Sequence, residues 1–452
     1  MDQKTYAVVG GGASGIAAAY YLQQQGIKVE LIERGDRLGG RIATCSLGHR
    51  QVAMGGKNIG KGYNLFREFT ETMGDNPYEF FGLNSSQVKN GKIVTVDASQ
   101  RWRGIFKLIE RFSFKDIFRF LLMCAALKRN EANGYLGGPY FTSLIRKLND
   151  HPVSNYFSKE FCQRLIRPMS VRMNGAEPDE IYVGNLGSNI RMVFDTYEQL
   201  CNGIDPVLEE FSQTISVRLG TTVKSLLYSN GRVVGLEMAN QDGIEHKHYD
   251  GVILATPAPV TAKLVEPNNP LLADILNGVN YYPVMVIVAE YNRNIFSEEV
   301  RALVFGAEEP ISNAGSYGIN DRHIVRYTFS GRSARPYIES NADAEELLRI
   351  AEEALNRYIP VDASERIQFV SQRMLTGLCA YTHDYQDFFG SIQSQLETLR
   401  GLDITGDYIK GASIEACFQA AKASVERVLR SPGAIVQQEK IAQGSSTLYN
   451  AV

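Results

Sequence analysis

Three glycines and one acid near the start of the chain have the spacing of a site that binds a dinucleotide. Gly10, Gly12 and Gly15 form a GxGxxG pattern, and Glu33 follows Gly15 by eighteen residues. In this pattern the first glycine permits a tight turn, the second lets the backbone approach a pyrophosphate, and the third lets a helix pack closely on a strand. The acid is placed to accept hydrogen bonds from an adenosine ribose, so the sequence predicts a dinucleotide-phosphate site.

The segments around these residues have the order that such a site requires. Thr5–Val9 is an apolar, β-branched run typical of a buried parallel strand, and Ile16–Gln25 is predicted to be a helix closed by Gly26. A second predicted strand, Lys28–Ile32, ends immediately before the acid. The first turn of the helix should therefore direct its backbone N–H groups at the phosphates, with the helix dipole behind them. These N–H groups belong to Ala13, Ser14 and Gly15.

A basic loop after the acid narrows the choice of dinucleotide. Glu33 alone does not separate FAD from NAD, because both carry a free ribose 2′-hydroxyl. The loop Arg34–Thr44 reads RGDRLGGRIAT, with Gly40 directly before Arg41. It resembles the loop that closes over the pyrophosphate in flavoprotein oxidases of the amine oxidase and protoporphyrinogen oxidase superfamily. This resemblance implies FAD as the cofactor and places Arg34, Gly40 and Arg41 at its site.

Three later segments are similar to the same family. Met54–Gly74 matches the segment whose glycine pair lies beside the isoalloxazine, and in Thr222–Pro257 the opening valine matches one that holds the adenine through its backbone. Leu402–Val428 matches a strand, a polar turn for the ribityl and phosphate groups, and a helix. The resemblance implies that this helix points its first N–H groups, those of residues 413–416, at the N1/O2 edge of the flavin, where they stabilise the charge of the reduced ring. The implied contact residues are Gly55, Gly56, Lys57, Asn58, Val223, Gly406, Asp407, Ser413 and Ile414.

The dispersal of these matches predicts a discontinuous α/β fold. It consists of a Rossmann-like FAD-binding domain with an inserted α+β substrate domain, of the glutathione-reductase-like, amine oxidase type. Residues 1–75, 205–270 and 390–452 are assigned to the first domain, and residues 76–204 and 271–389 to the second.

The substrate domain is predicted to be partly helical and partly a sheet. Apolar spacing indicates helices over Lys107–Lys128 and Tyr140–Leu148. Alternating residues within 281–330 predict antiparallel strands that form a pocket wall.

Two positions depart from the family pattern. The family usually has an acid two residues before the glycine pair, where this chain has Ala53. Amine oxidases of the family often carry a lysine on the strand that corresponds to YYPVMVIVAEY, where it holds a water at flavin N5, but this strand has no lysine. The second departure favours a dehydrogenase or a specialised oxidase over a simple amine oxidase.

Lys57, Tyr381 and His383 are candidates for catalysis. Lys57 could hold an anionic reduced flavin or orient a substrate carboxylate, and the alternative is a solvated loop lysine. Tyr381, His383 and Tyr385 would share one face if their segment is a strand, which would put His383 beside the flavin for proton transfer. The alternative for His383 is a surface histidine next to acidic neighbours.

Cys379 lies in the segment TGLCAY, twenty-seven residues before Gly406. This segment resembles the one in which some monoamine oxidases attach a cysteine to the flavin through a thioether. Covalent attachment of FAD to Cys379 is therefore one hypothesis, and a buried structural cysteine is the other.

Composition excludes several classes of protein. The net charge of −3 argues against nucleic acid as a partner, and the contents of 44% hydrophobic and 21% charged residues are typical of a soluble globular protein. The six cysteines lack CxxC spacing, which argues against a metal site and a disulfide framework and favours a cytoplasmic location. Phe118–Leu127 is too short to span a bilayer; it is expected to be a buried helix, with a membrane contact or an oily substrate channel as alternatives.

The resemblance implies an FAD-dependent oxidoreductase that acts on a small molecule. An amine or amino-acid-like substrate would give its hydride to flavin N5, with oxygen or a quinone as the acceptor. The alternatives are C–C desaturation of a porphyrin or isoprenoid, a substrate tethered to a carrier protein, and a catalytically silent flavin-binding protein. The oligomeric state is left open.

Overall fold

The computed structural model describes residues 3–81, 84–89, 91–97, 112–148 and 151–430. The strands in these ranges are β1 (Thr5–Val9), β2 (Lys28–Ile32), β3 (Thr44–Leu47), β4 (Arg50–Ala53), β5 (Ile59–Gly60), β6 (Tyr78–Phe80), β7 (Asn84–Lys89), β8 (Lys92–Asp97), β9 (Tyr197–Leu200), β10 (Ser216–Arg218), β11 (Thr222–Ser229), β12 (Arg232–Asn240), β13 (Gly243–His248), β14 (Gly251–Leu254), β15 (Asn280–Tyr291), β16 (Ala302–Val304), β17 (Asn313–Ser316), β18 (Ile324–Phe329), β19 (Arg366–Tyr381) and β20 (Leu402–Ile404).

The α-helices in the same ranges are α1 (Ala13–Gln24), α2 (Asn64–Thr72), α3 (Phe114–Arg129), α4 (Pro139–Leu148), α5 (Val153–Tyr156), α6 (Lys159–Phe161), α7 (Arg167–Asn174), α8 (Leu186–Phe194), α9 (Asp205–Thr214), α10 (Ala258–Val265), α11 (Pro270–Asn277), α12 (Arg335–Glu339), α13 (Ala344–Asn356), α14 (Tyr385–Thr398), α15 (Asp407–Lys410) and α16 (Ile414–Arg430).

A five-stranded parallel sheet has the strand order β10-β2-β1-β14-β20. Its central strand β1 pairs in parallel with β2 and with β14, and the side chains of Ala7 and Val8 are completely buried. A strand covered on both faces needs apolar residues on both, which explains the continuous apolar run of β1. Helices α1 and α16 pack against each other on one face of this sheet.

The carboxyl ends of the central strands meet at one edge of the sheet. Gly10, Ala255 and Thr405 follow β1, β14 and β20 directly. The backbone hydrogen bonds between the strands continue one residue further, because the Ala255 N–H donates to the Val9 carbonyl at 2.8 Å and the Thr405 N–H donates to the Leu254 carbonyl at 2.9 Å. Ligands of open parallel sheets bind outside this edge. The fold thus brings the early glycine pattern and the late polar turn together.

Most of the predicted elements around the glycine pattern are confirmed. β1 and β2 have the predicted bounds, and Gly26 has a φ of +72° just after α1. The helix begins at Ala13, three residues before the predicted start, because Gly12 already serves as its N-cap. The polar turn predicted after β20 is followed by one extra helical turn, α15, before α16 begins.

A seven-stranded sheet forms the wall of the second unit, in the order β19-β15-β18-β17-β16-β7-β8. The predicted antiparallel pairing is confirmed for β15 and β18. Alternate residues of β15 face opposite sides: Met285 and Ile287 pack in the core with α13, whereas Val284 and Val286 face the other way. This two-residue period turns one face of the strand toward a cavity.

A helical region built from α3 to α8 packs beside this sheet around its own apolar core. The predicted helix Tyr140–Leu148 is confirmed as α4. The predicted helix Lys107–Lys128 is described only from Phe114, where Ser113 caps it by accepting a hydrogen bond from the Asp116 N–H; residues 107–111 lie outside the described ranges. A π-helical segment, Cys162–Ile166, leads into α7.

The prediction that Tyr381, His383 and Tyr385 share a strand face is wrong. β19 ends at Tyr381, which has a left-handed φ of +66°. Asp384 then caps α14, which begins at Tyr385, so the two tyrosines lie in different elements. An aspartate that offers a cap to the next helix outweighs the β propensity of its neighbours here.

The strands of the parallel sheet come from residues 5–32, 216–218, 251–254 and 402–404, whereas those of the seven-stranded sheet come from residues 84–97 and 280–381. The domain boundaries stay a prediction. Among the described residues, no helix combines the length and the apolar character needed to cross a membrane.

Candidate active site

A cavity lies between the carboxyl edge of the parallel sheet and the seven-stranded sheet. It contains about 1350 Å³ that protein atoms do not fill. Part of this space is open to solvent. The predicted cofactor residues that line it are Gly12, Ala13, Ser14, Arg41, Gly55, Gly56, Asn58, Cys379, Gly406, Asp407, Ser413 and Ile414.

The glycine turn opens the beginning of α1 toward the cavity. Gly10 has a φ of +105°, and a Cβ on Gly15 would lie 1.8 Å from the Gly10 carbonyl oxygen. Gly12, the N-cap of α1, has no side chain that could bond to the N–H groups of the first turn. A Cβ on Gly40 would lie 3.2 Å from the Cα of Gly12. The first N–H groups of the helix therefore face the cavity without a side-chain cap, and this cradle is the arrangement that binds phosphates at helix N-termini.

Glu33 contributes to this cradle in a way that the sequence did not indicate. Its two carboxylate oxygens accept the N–H groups of Gly11 at 2.6 Å and Gly35 at 2.7 Å. Each oxygen keeps a second lone pair for another donor, such as a ribose hydroxyl. The carbonyl of Glu33 accepts the N–H of Thr221 at 3.0 Å, which holds the segment before Val223 beside the acid. Arg34 is exposed.

Arg41, Asp407 and Tyr281 form a bonded group at the cavity. Arg41 Nη1 lies 2.6 Å from Asp407 Oδ2, and the Tyr281 hydroxyl donates to Asp407 Oδ1 at 2.6 Å. Burial and the Asp407 carboxylate raise the pKa of Tyr281 well above its ordinary value, so the hydroxyl keeps its proton. Asp407 was predicted to bind cofactor directly, but its protein contacts show that it also holds Arg41 in place.

The glycine pair is braced by residues that replace the missing acid. The Arg326 guanidinium donates to the carbonyls of Ala53 and, at 2.9 Å, Gly55. The Ala53 N–H donates to the Tyr317 hydroxyl at 2.7 Å. A Cβ on Gly55 would lie 1.8 Å from the carbonyl oxygen of Arg41, so the close approach of these two loops requires glycine.

Lys57 is neither a solvated loop lysine nor a residue of the main cavity. Its Nζ donates to Gln199 Oε1 at 2.9 Å and to the Tyr317 carbonyl at 2.7 Å, and lies 3.4 Å from the centre of the Phe81 ring. It lines a smaller adjoining pocket. Burial and the charge of Arg326 lower the pKa of Lys57 well below its ordinary value. The predicted catalytic role at the flavin is therefore not supported by its position.

Asn58, the next residue, does line the cavity. Its Oδ1 is buried without a hydrogen-bond partner in the described part of the chain. A buried polar atom without a partner is costly, so a ligand that donates to this oxygen would stabilise the site.

The beginning of α16 is partly capped. Ser413 Oγ accepts the Ala416 N–H at 3.1 Å, so this N–H, which was predicted to face the flavin, is already bonded. The Tyr381 hydroxyl accepts the Ala412 N–H at 2.8 Å, and the Tyr385 hydroxyl donates to the Ile409 carbonyl. The two tyrosines thus position the segment before α16, and neither is among the residues that line the cavity.

The prediction that His383 transfers protons beside the flavin is wrong. The His383 ring lies 5.7 Å from the ring of Tyr182, and the residue borders a separate pocket with Thr142, Arg146 and Asp387. The turn after Tyr381 carries it away from the cavity.

Cys379 is buried and lines the cavity. Burial, and then the charge of Asp407, raise the pKa of the Cys379 thiol well above its ordinary value. The thiol is therefore neutral near pH 7. Its attachment to FAD stays a prediction.

Two arginines at the cavity were not found from the sequence. Arg172 on α7 and Arg326 on β18 both line it. In the ranges that the structure describes, Arg172 has no hydrogen bond and no carboxylate partner. Burial lowers the pKa of Arg172 and lowers that of Arg326 to about 10. An arginine that interrupts the apolar run of HIVRYTF is a signal that could have identified Arg326, whereas the sequence around Arg172 offers none.

Much of the rest of the cavity wall is apolar. It is formed by thioether and branched aliphatic side chains, namely those of Met54, Met173, Met192, Val284, Val286, Met374 and Leu378.

A family model described as flavin containing amine oxidoreductase matches residues 13–429. The chain belongs to the flavin-containing amine oxidoreductase family. Protoporphyrinogen oxidase 2 of Arabidopsis thaliana is 20% identical over an alignment of 493 residues, which covers 92% of this chain and 91% of that protein. An L-amino-acid oxidase of Naja atra is 35% identical over 87 residues, which are 19% of this chain and only 17% of that protein.

Solved structures share the fold of this family member. A variant of putrescine oxidase has a TM-score of 0.71 at 16% identity, covering 94% of this chain and 99% of that one. A putative protoporphyrinogen oxidase from Exiguobacterium has a TM-score of 0.68 at 18% identity, covering 95% and 99%. The predicted fold class is confirmed. The family establishes an FAD-dependent oxidoreductase, and the cavity described above fits that cofactor.

Proposed function

We propose that the protein oxidises the C–N bond of an amine or amino-acid-like small molecule, with oxygen as the electron acceptor. The observation that carries this proposal is one cavity that joins a cofactor cradle to an apolar wall. When bound, FAD would accept a hydride from the substrate carbon at N5 and pass both electrons to oxygen, which gives hydrogen peroxide.

The residues proposed to hold FAD come from both ends of the chain. The first N–H groups of α1 and the charge of Arg41 would hold the pyrophosphate. Glu33 would bind the ribose, and the backbone of Val223 the adenine. The beginning of α16 and the unpartnered Oδ1 of Asn58 would face the flavin.

The apolar wall would keep the substrate nitrogen uncharged. An ammonium is disfavoured in an apolar pocket, because burial lowers the pKa of an amine. Asp407 is the carboxylate among the described lining residues, and its ion pair with Arg41 leaves it poorly suited to bind an ammonium. A neutral amine is the form whose C–H bond can give up a hydride.

An anaerobic reduction screen tests the proposal. The holoenzyme is mixed without oxygen with aliphatic and aromatic amines, amino acids and polyenes, and the visible absorbance of the oxidised flavin is followed. At least one amine or amino acid should bleach the flavin, and admitting oxygen should restore the absorbance and release hydrogen peroxide. Free FAD with the same compounds is the control. Flavin that stays oxidised with every amine and amino acid would refute the proposal.

C–C desaturation of a porphyrin or isoprenoid is the second candidate. It is favoured by the full-length similarity to protoporphyrinogen oxidase 2 and by the absence of lysine from β15. In this case no amine would support oxygen consumption, whereas a polyene or porphyrinogen would bleach the flavin and a quinone would reoxidise it. A flavin that none of these compounds reduces would instead indicate a catalytically silent protein.

A further inference from the structure

We propose that the substrate carries a carboxylate, which Arg172 binds through its guanidinium beside the charge of Arg326. This proposal rests on the proposed function and narrows its substrate class to amino acids and other amines with an acid group.

Several interior arginines in the described part of the chain are paired with acids, whereas Arg172 has no such partner and Arg326 donates to backbone carbonyls instead. Arg167, five residues earlier, lies 2.8 Å from Glu177, and Arg335 lies 2.6 Å from Glu180. No described carboxylate pairs with Arg172, and no described acceptor bonds to it. A buried charge without a partner is costly, so a site that keeps one is built for a partner that arrives from outside.

The position of Arg172 identifies where that partner binds. Helix α7 presents Arg172 to the cavity together with Met173, and the neighbouring strand β9 contributes Tyr197. Arg326 lines the same cavity from β18, and after the effect of burial the charge of Arg172 lowers the pKa of Arg326 further. Two cations that repel each other across a cavity attract an anion between them.

The cofactor does not supply this anion in the oxidised state. The phosphates of FAD are proposed to lie at the beginning of α1, where Gly12, Ala13 and Ser14 line the cavity. Asp407 is occupied by Arg41. The charge of Arg172 is therefore left for the substrate.

A carboxylate is the anion that matches this arrangement. Guanidinium presents parallel N–H donors in one plane, and a carboxylate accepts two of them at once. The Arg326 guanidinium already donates hydrogen bonds to the carbonyls of Ala53 and Gly55, so it mainly contributes positive charge. Arg172 contributes N–H donors that have no acceptor in the described part of the chain. The apolar wall beside them would hold the carbon chain of the substrate.

Ligand binding to the holoenzyme tests this proposal without turnover. The probes are benzoate, phenylacetate and hexanoate, each compared with its primary amide, which has nearly the same shape and no charge. Binding is measured by titration calorimetry and by the change in the flavin visible spectrum. Each carboxylate should bind about 10- to 100-fold more tightly than its amide, the range expected for hydrogen bonds to a charged group.

Variants assign the preference to Arg172. Arg172→Met keeps the length of the side chain and should remove at least about tenfold of the preference, whereas Arg172→Lys should retain part of it. Arg349→Met, an exposed arginine paired with Glu353 on α13, is the matched control and should bind all probes like the parent protein.

Three results would overturn the proposal. The first is that the parent protein binds carboxylates no more tightly than their amides, whatever the variants show. Equal weakening of both probe classes by Arg172→Met would show a role in shape alone. If Arg172→Met kept the preference for carboxylates over amides but shifted the reduction potential of the flavin, Arg172 would interact with the reduced cofactor and not with the substrate. Failure of the proposed function is a separate result, since it is read from anaerobic flavin reduction and not from binding.

Discussion

Replacing Tyr381 with phenylalanine separates a positioning role from a catalytic one. The Tyr381 hydroxyl accepts the Ala412 N–H at 2.8 Å, and only 2% of the residue is exposed. The substitution leaves a partly buried N–H without an acceptor, which costs about 1–3 kcal/mol of unfolding free energy. Burial raises the pKa of Tyr381, so the hydroxyl keeps its proton and cannot serve as a base near pH 7.

The expected change in rate is small by comparison. A slight shift at the beginning of α16 should slow flavin reduction by less than about tenfold, which corresponds to about 1.4 kcal/mol in the barrier. Loss of a general acid or base typically lowers the rate by about 10²- to 10⁴-fold. The two roles therefore differ by at least an order of magnitude in the measured rate.

Two measurements are needed for this comparison. Thermal unfolding followed by flavin fluorescence gives the loss of stability, and anaerobic stopped-flow reduction gives the rate and its pH profile. Tyr385→Phe is the matched control, because its hydroxyl bonds to the Ile409 carbonyl in the same segment. A 100-fold slower reduction by Tyr381→Phe with unchanged stability, and with one limb of the pH profile lost, would refute the positioning role.

Three further changes probe the cradle, the thiol and a buried acid. Gly15→Ala should abolish FAD retention because its Cβ would lie 1.8 Å from a backbone oxygen, whereas Gly390→Ala, with open space at its Cβ, should retain flavin as the parent does. Because burial keeps the Cys379 thiol neutral, we expect FAD to be bound without a covalent bond, so acid precipitation should leave all of the flavin in the supernatant. A yellow pellet that Cys379→Ser abolishes would show covalent attachment instead. Burial raises the pKa of Glu415, so the folded protein binds more protons than the unfolded chain, and its unfolding free energy should fall as the pH rises from 4.5 through the folded pKa. Denaturant titrations should show a flatter pH dependence for Glu415→Gln but not for the exposed Glu426→Gln.

The parts of the fold that local patterns specify could be predicted from the sequence. The glycine turn, β1, β2 and the antiparallel pairing of β15 follow from spacing and alternation, and all are confirmed. The path after β19 could not be predicted, since Tyr381 and Tyr385 are good strand residues. It depends on the left-handed backbone at Asp384 and on the start of α14, which compete with strand propensity only in the folded chain.

The cofactor cradle was more predictable than the substrate wall. Glycines that allow close backbone approach leave a pattern in the sequence, whereas Arg172 becomes informative only when the absence of an acid partner is known. Whether Arg172 has a partner depends on the groups that surround it in the folded chain, and these come from α7, β9 and β18, which are far apart in the sequence. Lys57 shows the converse: its sequence position beside the glycine pair suggested a flavin contact, whereas in the structure its Nζ donates to Gln199 and the residue lines the smaller pocket.

FAD cannot be captured by a growing chain when its glycine turn first leaves the ribosome. The proposed cofactor site also includes Asp407, which follows β20, and the beginning of α16, and these are synthesised long after the glycine turn. At typical synthesis rates of about 5–20 residues per second, roughly 20–80 s pass between the two events. Through that interval the carboxyl edge of the parallel sheet is incomplete. A ligand that binds the folded state and not the unfolded chain stabilises the fold by mass action, so the supply of flavin should raise the yield of folded protein as well as its activity.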